Sequence, residues 1–164
     1  MASHAKLVAR RLAIVAGLLV GPGVVATAAP ARAAYVPSVA TVAAYEARVI
    51  YQINVQRMKY AHGKLRAGTC PDKYAETWGS YLSRTGSFYH QSMTPILRGC
   101  TATRASENLA RGYTTADATV AAWMASPGHR ANALDASVTR IGVAATYAGG
   151  RWTVVADFTR PRAR

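Results

Sequence analysis

Residues 140–159 read RIGVAATYAGGRWTVVADFT, and the period of this stretch decides the fold class. Ile141, Val143, Ala145 and Tyr147 recur at every second position, and after Gly149-Gly150 so do Trp152, Val154, Ala156 and Phe158. Successive side chains of a strand point to opposite faces, so each run presents one apolar face. A Gly-Gly pair between two such runs supplies the positive φ angles of a tight two-residue turn, so a β-hairpin is expected. A lone hairpin seldom holds by itself, and Ser106–Gly112 is the segment expected to add a strand.

Upstream the period is helical. From Val42 to Tyr60, Tyr45, Val49 and Ile53 share one stripe, and Gly63 is placed to end the helix. Pro71 opens a second helix whose Tyr74, Trp78, Tyr81 and Leu82 follow the i, i+4, i+7, i+8 pattern as far as Gly86. Residues 86–105 are rich in turn formers and carry no clear period. Thr114-Thr115 then cap a short helix burying Val120, Trp123 and Met124, and Ser126-Pro127 starts another at once. Trp78, Trp123 and Trp152 each fall on an apolar stripe and are read as core. Helices first and a sheet later argue for an α+β fold, with helices packed on an antiparallel sheet.

The first thirty-odd of the 164 residues read as an export signal. Lys6, Arg10 and Arg11 form a basic start, Leu12–Val25 is apolar, and Ala31-Arg32-Ala33 supplies a small-x-small cleavage pattern. The apolar run is broken by Gly21-Pro22-Gly23 and is short of the roughly 20 residues of a bilayer span, which disfavours an uncleaved anchor. The Arg10-Arg11 pair also invites a twin-arginine reading, but Sec-type export is the default expectation. The expected organisation is a signal peptide over 1–33, a short linker over 34–40, one domain over 41–159 and a basic tail over 160–164.

The leader carries four of the 20 basic residues and none of the seven acidic ones, which leaves sixteen against seven and a net charge of +9. That balance favours an anionic cell-wall polymer or lipid as partner. No basic-aromatic nucleic-acid motif is present, so nucleic acid is not the expected partner. Cys70 and Cys100, delivered to an oxidising space, are expected to pair and to tie down the irregular segment that contains His90.

WMASPGHRANAL, residues 123–134, places His129 at the third position of the helix started by Ser126 and Pro127. The Ser126 hydroxyl is expected to cap that helix, and the free N–H groups and the dipole there should keep the imidazole neutral. A neutral imidazole can bind a metal or take a proton. Asn132 lies on the same helical face, able to reach across a cleft or to bond locally, and Asn108 is read as fixing the strand beside Glu107. Ser126 sits in no nucleophile-elbow pattern. His90, Glu107 and His129 are the candidates to carry chemistry, although their spacing matches no recognised zinc signature and does not by itself bring them together.

Taken in order, INVQRMKYAHGKL with its Asn54 and Arg57, FYH at 88–90, ENLARG at 107–112, WMASPGHRANAL and IGVA at 141–144 resemble the CAP superfamily of cysteine-rich secretory, antigen 5 and pathogenesis-related proteins, in its bacterial SCP-like form. The resemblance covers nearly all of the chain after the leader. It implies an α-β-α sandwich in which two histidines and two acidic residues gather in a central cleft able to hold a zinc-like cation. By matching motif His90, Glu107 and His129 are three of those four. The place of the fourth, a glutamate three residues after the tryptophan in animal and plant members, is Ser126 here, which removes a candidate general base. Two imidazoles and one carboxylate also match the open three-ligand zinc type, with zinc or another divalent cation the expected metal.

Three functions follow. The first is a secreted binding protein that presents the cleft and a basic surface to an envelope or extracellular ligand, a wall polymer, an anionic lipid or a sterol. The second is a metal-dependent hydrolase, a peptidase by expectation, with His90, His129 and Glu107 as catalytic candidates. The third is a secreted signalling or defence module without cleft chemistry. A monomer is expected, and a shared fold does not choose among these activities.

Overall fold

The computed structural model describes residues 35–163, so the export reading of residues 1–33 lies outside the described residues. Five helices and four strands follow in the order α1 (Val39–Lys59), β1 (Arg66–Ala67), α2 (Thr69–Thr85), α3 (Met93–Gly99), β2 (Ala102–Arg111), α4 (Ala116–Ala125), α5 (Pro127–Leu134), β3 (Arg140–Ala148) and β4 (Arg151–Pro161). Among the described residues no helix is long and apolar enough to cross a membrane.

The strands form one sheet in the order β1-β3-β4-β2. The expected hairpin is present: Ala148 pairs with Arg151, and Gly149 and Gly150 close the turn at φ 55° and 76°. Two positive φ values in a row suit glycine, which has no Cβ to clash. β2 joins β4 antiparallel, but the two residues of β1 run parallel to β3, so the sheet is mixed rather than wholly antiparallel. Such a short strand is held by its neighbours and leaves no period to read.

Helices cover both faces of the sheet. On one, Tyr45, Val49 and Ile53 of α1, Val120 and Trp123 of α4 and Ala133 of α5 pack on Ile141, Val143, Trp152, Val154, Ala156 and Phe158. On the other, Ala75 and Leu82 of α2 pack on Leu109, Ala144 and Val155. The apolar stripes of the hairpin and of α1 are therefore those read from the sequence. α2 differs: its buried row is Pro71, Ala75, Gly79 and Leu82, while Tyr74, Trp78 and Tyr81 flank it half-buried. Small residues win this face because the start of α2 lies against β3, where a Cβ on Gly142 would stand 2.1 Å from the Asp72 backbone nitrogen.

Two further differences bear on the site. The segment 86–105, read as irregular, contains α3, capped by the Ser92 hydroxyl and too short to display a period. The Cys70–Cys100 disulfide joins the residue after α3 to the first turn of α2, as expected from the cysteine count. β2 also begins earlier than Ser106, and β4 carries on through Arg160 and Pro161, two residues assigned to the basic tail.

α1 ends at Lys59, with the left-handed turn on Ala61 (φ 55°) rather than on Gly63. The cause is Arg57. Its buried guanidinium draws the chain back by donating to Gly63 O at 2.7 Å, and donates also to Ala133 O and Asp135 O at 2.9 Å each. A cation at those last carbonyls completes the C-terminal end of α5, which has no basic residue in its own last turn. Asn54 completes the clasp with a reciprocal pair to Leu65 N and O.

Candidate functional site

His90 lies in the connection between α2 and α3, a stretch pinned from several sides. The Arg111 guanidinium donates to Gly86 O at 2.9 Å and Ser87 O at 2.5 Å and lies over the Phe88 ring, 4.8 Å from its centroid. Trp78 Nε1 donates to Tyr89 O at 3.1 Å. Trp78 is thus half-buried at the edge of the smaller core rather than inside it, stacked on Tyr81 and edge-on to Tyr89. Phe88 and Tyr89 themselves remain about half exposed.

Held this way, His90 meets Glu107 of β2, with Nδ1 2.6 Å from Oε1. The Glu107 side chain is 2% exposed and that of His90 58%, so the imidazole is fixed from below and open above. An ionised carboxylate only accepts, so with Glu107 ionised the bond requires Nδ1–H, and in the neutral ring the other nitrogen, Nε2, is then the acceptor. Gln91 adds a backbone N–H to Glu107 Oε1 at 3.3 Å and its amide to Oε2 at 2.9 Å. Burial raises the Glu107 pKa above its ordinary value, opposed by the bonds from Gln91 and His90.

The same Gln91 amide reaches Asp157 of β4, at 3.2 Å from Oδ1 and 3.0 Å from Oδ2. Asp157 is directly opposite Glu107 in the β2–β4 register and fully buried. Loss of solvation, then the neighbouring Glu107 charge, push its pKa up to about 8, and the Gln91 bond opposes them. A second acidic residue therefore does stand beside the His90–Glu107 pair, on a different element from the one the resemblance indicated. The signal for it was an aspartate inside VVADF, a run apolar in both parities, where neither face of the strand is left for water.

His129 stands in the first turn of α5, half-buried. Its pKa is lowered by burial first and by the charge of His90 second, which favours the neutral ring. Ser126 occupies the N-cap position and Pro127 the first helical position, but the Ser126 side chain makes no capping bond. Ser126 joins α4 to α5 through its backbone: its N–H bonds Ala122 O and Trp123 O, and its own carbonyl accepts from Arg130 N at 2.8 Å.

Asn108 and Asn132 set where His129 sits. Asn108 Nδ2 donates to the His129 carbonyl at 2.9 Å, and Asn132 Nδ2 donates to Glu107 O and Asn108 Oδ1, both at 3.0 Å. These bonds fasten α5 across to β2, the cross-element alternative of the two readings for Asn132.

The set does not fit the three-ligand metal centre expected from the sequence. Among the described residues no group of three His, Cys, Asp or Glu side chains is gathered to hold a metal ion. Glu107 already spends Oε1 on His90 and Gln91 N, and Oε2 on the Gln91 amide. It acts as the partner that orients a histidine. Both cysteines are consumed by the disulfide, so no thiol nucleophile is free. What the arrangement offers is a fixed, solvent-facing imidazole with exposed aromatics alongside, and a second, half-buried imidazole whose pKa is lowered in part by the charge of the first.

The model of the cysteine-rich secretory protein family, CAP, matches residues 46–158. The Bacillus subtilis (strain 168) protein YkwD is 33% identical over 120 residues, which are 69% of this chain and 47% of YkwD, so the chain spans about half of that relative. The crystal structure of an extracellular SCP-domain protein from Bacillus anthracis superposes with a TM-score of 0.65 at 22% identity, over 73% of this chain and 41% of that one. An outer surface protein from Borrelia burgdorferi gives 0.64 at 20% identity, over 70% and 90% of the two chains. Fold, motif order and family match agree: the chain belongs to the cysteine-rich secretory protein (CAP) family.

Proposed function

We propose that this chain is a secreted bacterial CAP-domain protein that acts by binding an envelope or extracellular ligand through the His90–Glu107–His129 cleft. The observation that carries the reading is His90: its buried side is locked to Glu107 at 2.6 Å while most of the ring faces solvent. A group rigid before its ligand arrives loses little conformational freedom on binding. Phe88 and Tyr89, exposed beside it, add apolar contact area of the kind that recognition surfaces use. Secretion rests on the leader pattern and on the relatives described as extracellular or outer-surface proteins.

The hydrolase reading would need a metal, and the acidic group best placed to supply a third ligand is engaged with His90 and Gln91. Binding asks nothing more of the cleft than it already has. The test is co-sedimentation of the purified chain with isolated bacterial envelopes, beside a His90→Ala/His129→Ala double variant. Saturable retention that survives high salt and drops in the variant is expected. Retention equal in both proteins, or lost entirely as salt is raised, would mean that surface charge alone holds the chain.

A further inference from the structure

The structure assigns a second binding site, remote from His90, to the end of the sheet where β2 begins and β4 finishes: we infer that Arg104, Arg160 and Arg162 form a receptor for a phosphate group. An open cavity of about 700 Å³ lies there, lined by these three arginines and by the hydroxyl residues Thr103, Ser137 and Thr139. None of them takes part in the His90 cleft. Strand alternation aims them together: Arg160 and Arg162 are two residues apart, and Arg104 is the register partner of Arg160. The strand geometry persists past Pro161, because Arg162 N donates to Thr101 O at 2.8 Å. Three residues back along the same strands, Glu107 and Asp157 pair on the opposite face.

Like charges directly opposite each other across two strands repel, so the Arg104–Arg160 pair is unfavourable unless an anion lies between or beside the two. One carboxylate does part of this. Asp135 accepts from Arg104 Nε and is itself held by Ser137 N at 2.8 Å and Ser137 Oγ at 2.6 Å, which fixes the guanidinium at the rim of the cavity. All seven acidic side chains of the protein lie in the described residues, and none of them bridges Arg160 or Arg162. Two exposed guanidinium groups are thus left facing a cavity to which Thr139 adds a hydroxyl, the Thr103 and Ser137 hydroxyls being spent on Arg160 O and Asp135, and no side chain among the described residues balances their charge.

Guanidinium forks match the paired oxygens of a phosphate, and two unpaired forks, with the Thr139 hydroxyl and the outer N–H groups of Arg104, exceed what the two oxygens of a carboxylate can accept. A phosphate, free or as a headgroup, is the group with enough acceptor oxygens.

The test titrates inorganic phosphate and glycerol 3-phosphate, with acetate as the carboxylate control, into the purified chain by calorimetry. Two variants run beside it: Arg160→Gln/Arg162→Gln, and Lys64→Gln/Lys73→Gln, which removes the same charge from exposed positions outside the cavity. Expected is saturable phosphate binding, stronger than acetate, weakened about tenfold or more in the arginine variant and unchanged in the lysine variant. Absence of saturable binding, or equal weakening in both variants, would overturn the site. A parallel arm with phosphatidylglycerol vesicles separates the sources: retention competed by free phosphate places the site on a lipid headgroup, and binding of dissolved phosphate without vesicle retention places it on a soluble one. The His90→Ala/His129→Ala protein should bind phosphate as the parent does, so failure of the cleft reading leaves this site standing.

Discussion

Replacing Asp157 by asparagine should make the protein more stable at alkaline pH, although it alters a fully buried residue. Asp157 takes a folded pKa of about 8 against an ordinary 3.8, because burial and the facing Glu107 both disfavour its charge. Between those two values the unfolded chain has released the proton and the folded chain still holds it. The folded state then binds more protons, so unfolding free energy falls as pH rises, by up to about 1.4 kcal/mol per pH unit for this one group. Across the window the total is on the order of 5 kcal/mol, comparable with the whole stability of a marginal domain. The asparagine side chain would keep an oxygen for the Gln91 amide and present an N–H toward Glu107 opposite it, with no charge to bury. Urea unfolding followed by tryptophan fluorescence at pH 5 to 9 measures the effect. The parent should lose stability from pH 5 to about 8, the slope fading above that, and Asp157→Asn should lose much less and exceed the parent at pH 9. Some slope should persist, since burial also raises Glu46, to about 7, and Glu107. Parallel curves, or a variant less stable than the parent at pH 9, would refute a neutral Asp157.

Other perturbations follow from the same contacts. Arg57→Leu leaves the carbonyls of Gly63, Ala133 and Asp135 without their donor, which should cost about 3 kcal/mol or more in urea unfolding, whereas Arg48→Leu, at an exposed pair with Asp117, should change little. Changing Cys70 and Cys100 to alanine opens a loop spanning 30 positions and should lower stability by roughly 3 to 4 kcal/mol in the chain-entropy model, read from the same curves. Asn132→Ala removes the bonds to Glu107 O and Asn108 and loosens α5, so the His129 titration seen by proton NMR should move up toward its ordinary value. Because the folded His129 pKa lies below the unfolded one, its penalty on the parent appears as pH falls through about 6.5, and the variant should show less of it.

The fold was legible wherever a period ran long enough. The alternation in β3 and β4, the Gly149-Gly150 turn and the α1 stripe all reappear, because each buries a whole face and a slip would expose it. α3 and β1 stayed hidden, since seven and two residues are too few to show a pattern and tertiary contacts hold them. α2 misled because its aromatics are spaced for a core, yet only small residues fit where the helix approaches Gly142. At the site, motif resemblance proposed His90, Glu107 and His129, and the structure makes the first two a bonded pair. It could not supply Asp157 or Gln91. Alternation puts Asp157 on the face of β4 opposite the Trp152–Phe158 stripe, beside Val155, and the covering of both sheet faces makes that face an interior. Ser126 shows the opposite failure: a favoured capping residue stands at the cap position without using its side chain.

Binding through the cleft is tested most directly by nitrogen-15 NMR of the histidine rings during titration with solubilised bacterial wall polymer. His90 and His129 should shift together and saturate, while His62, in the turn after α1, stays where it is. Equal shifts of all three, or movement of none while the chain still adheres to envelopes, would contradict a ligand in the His90–Glu107–His129 cleft.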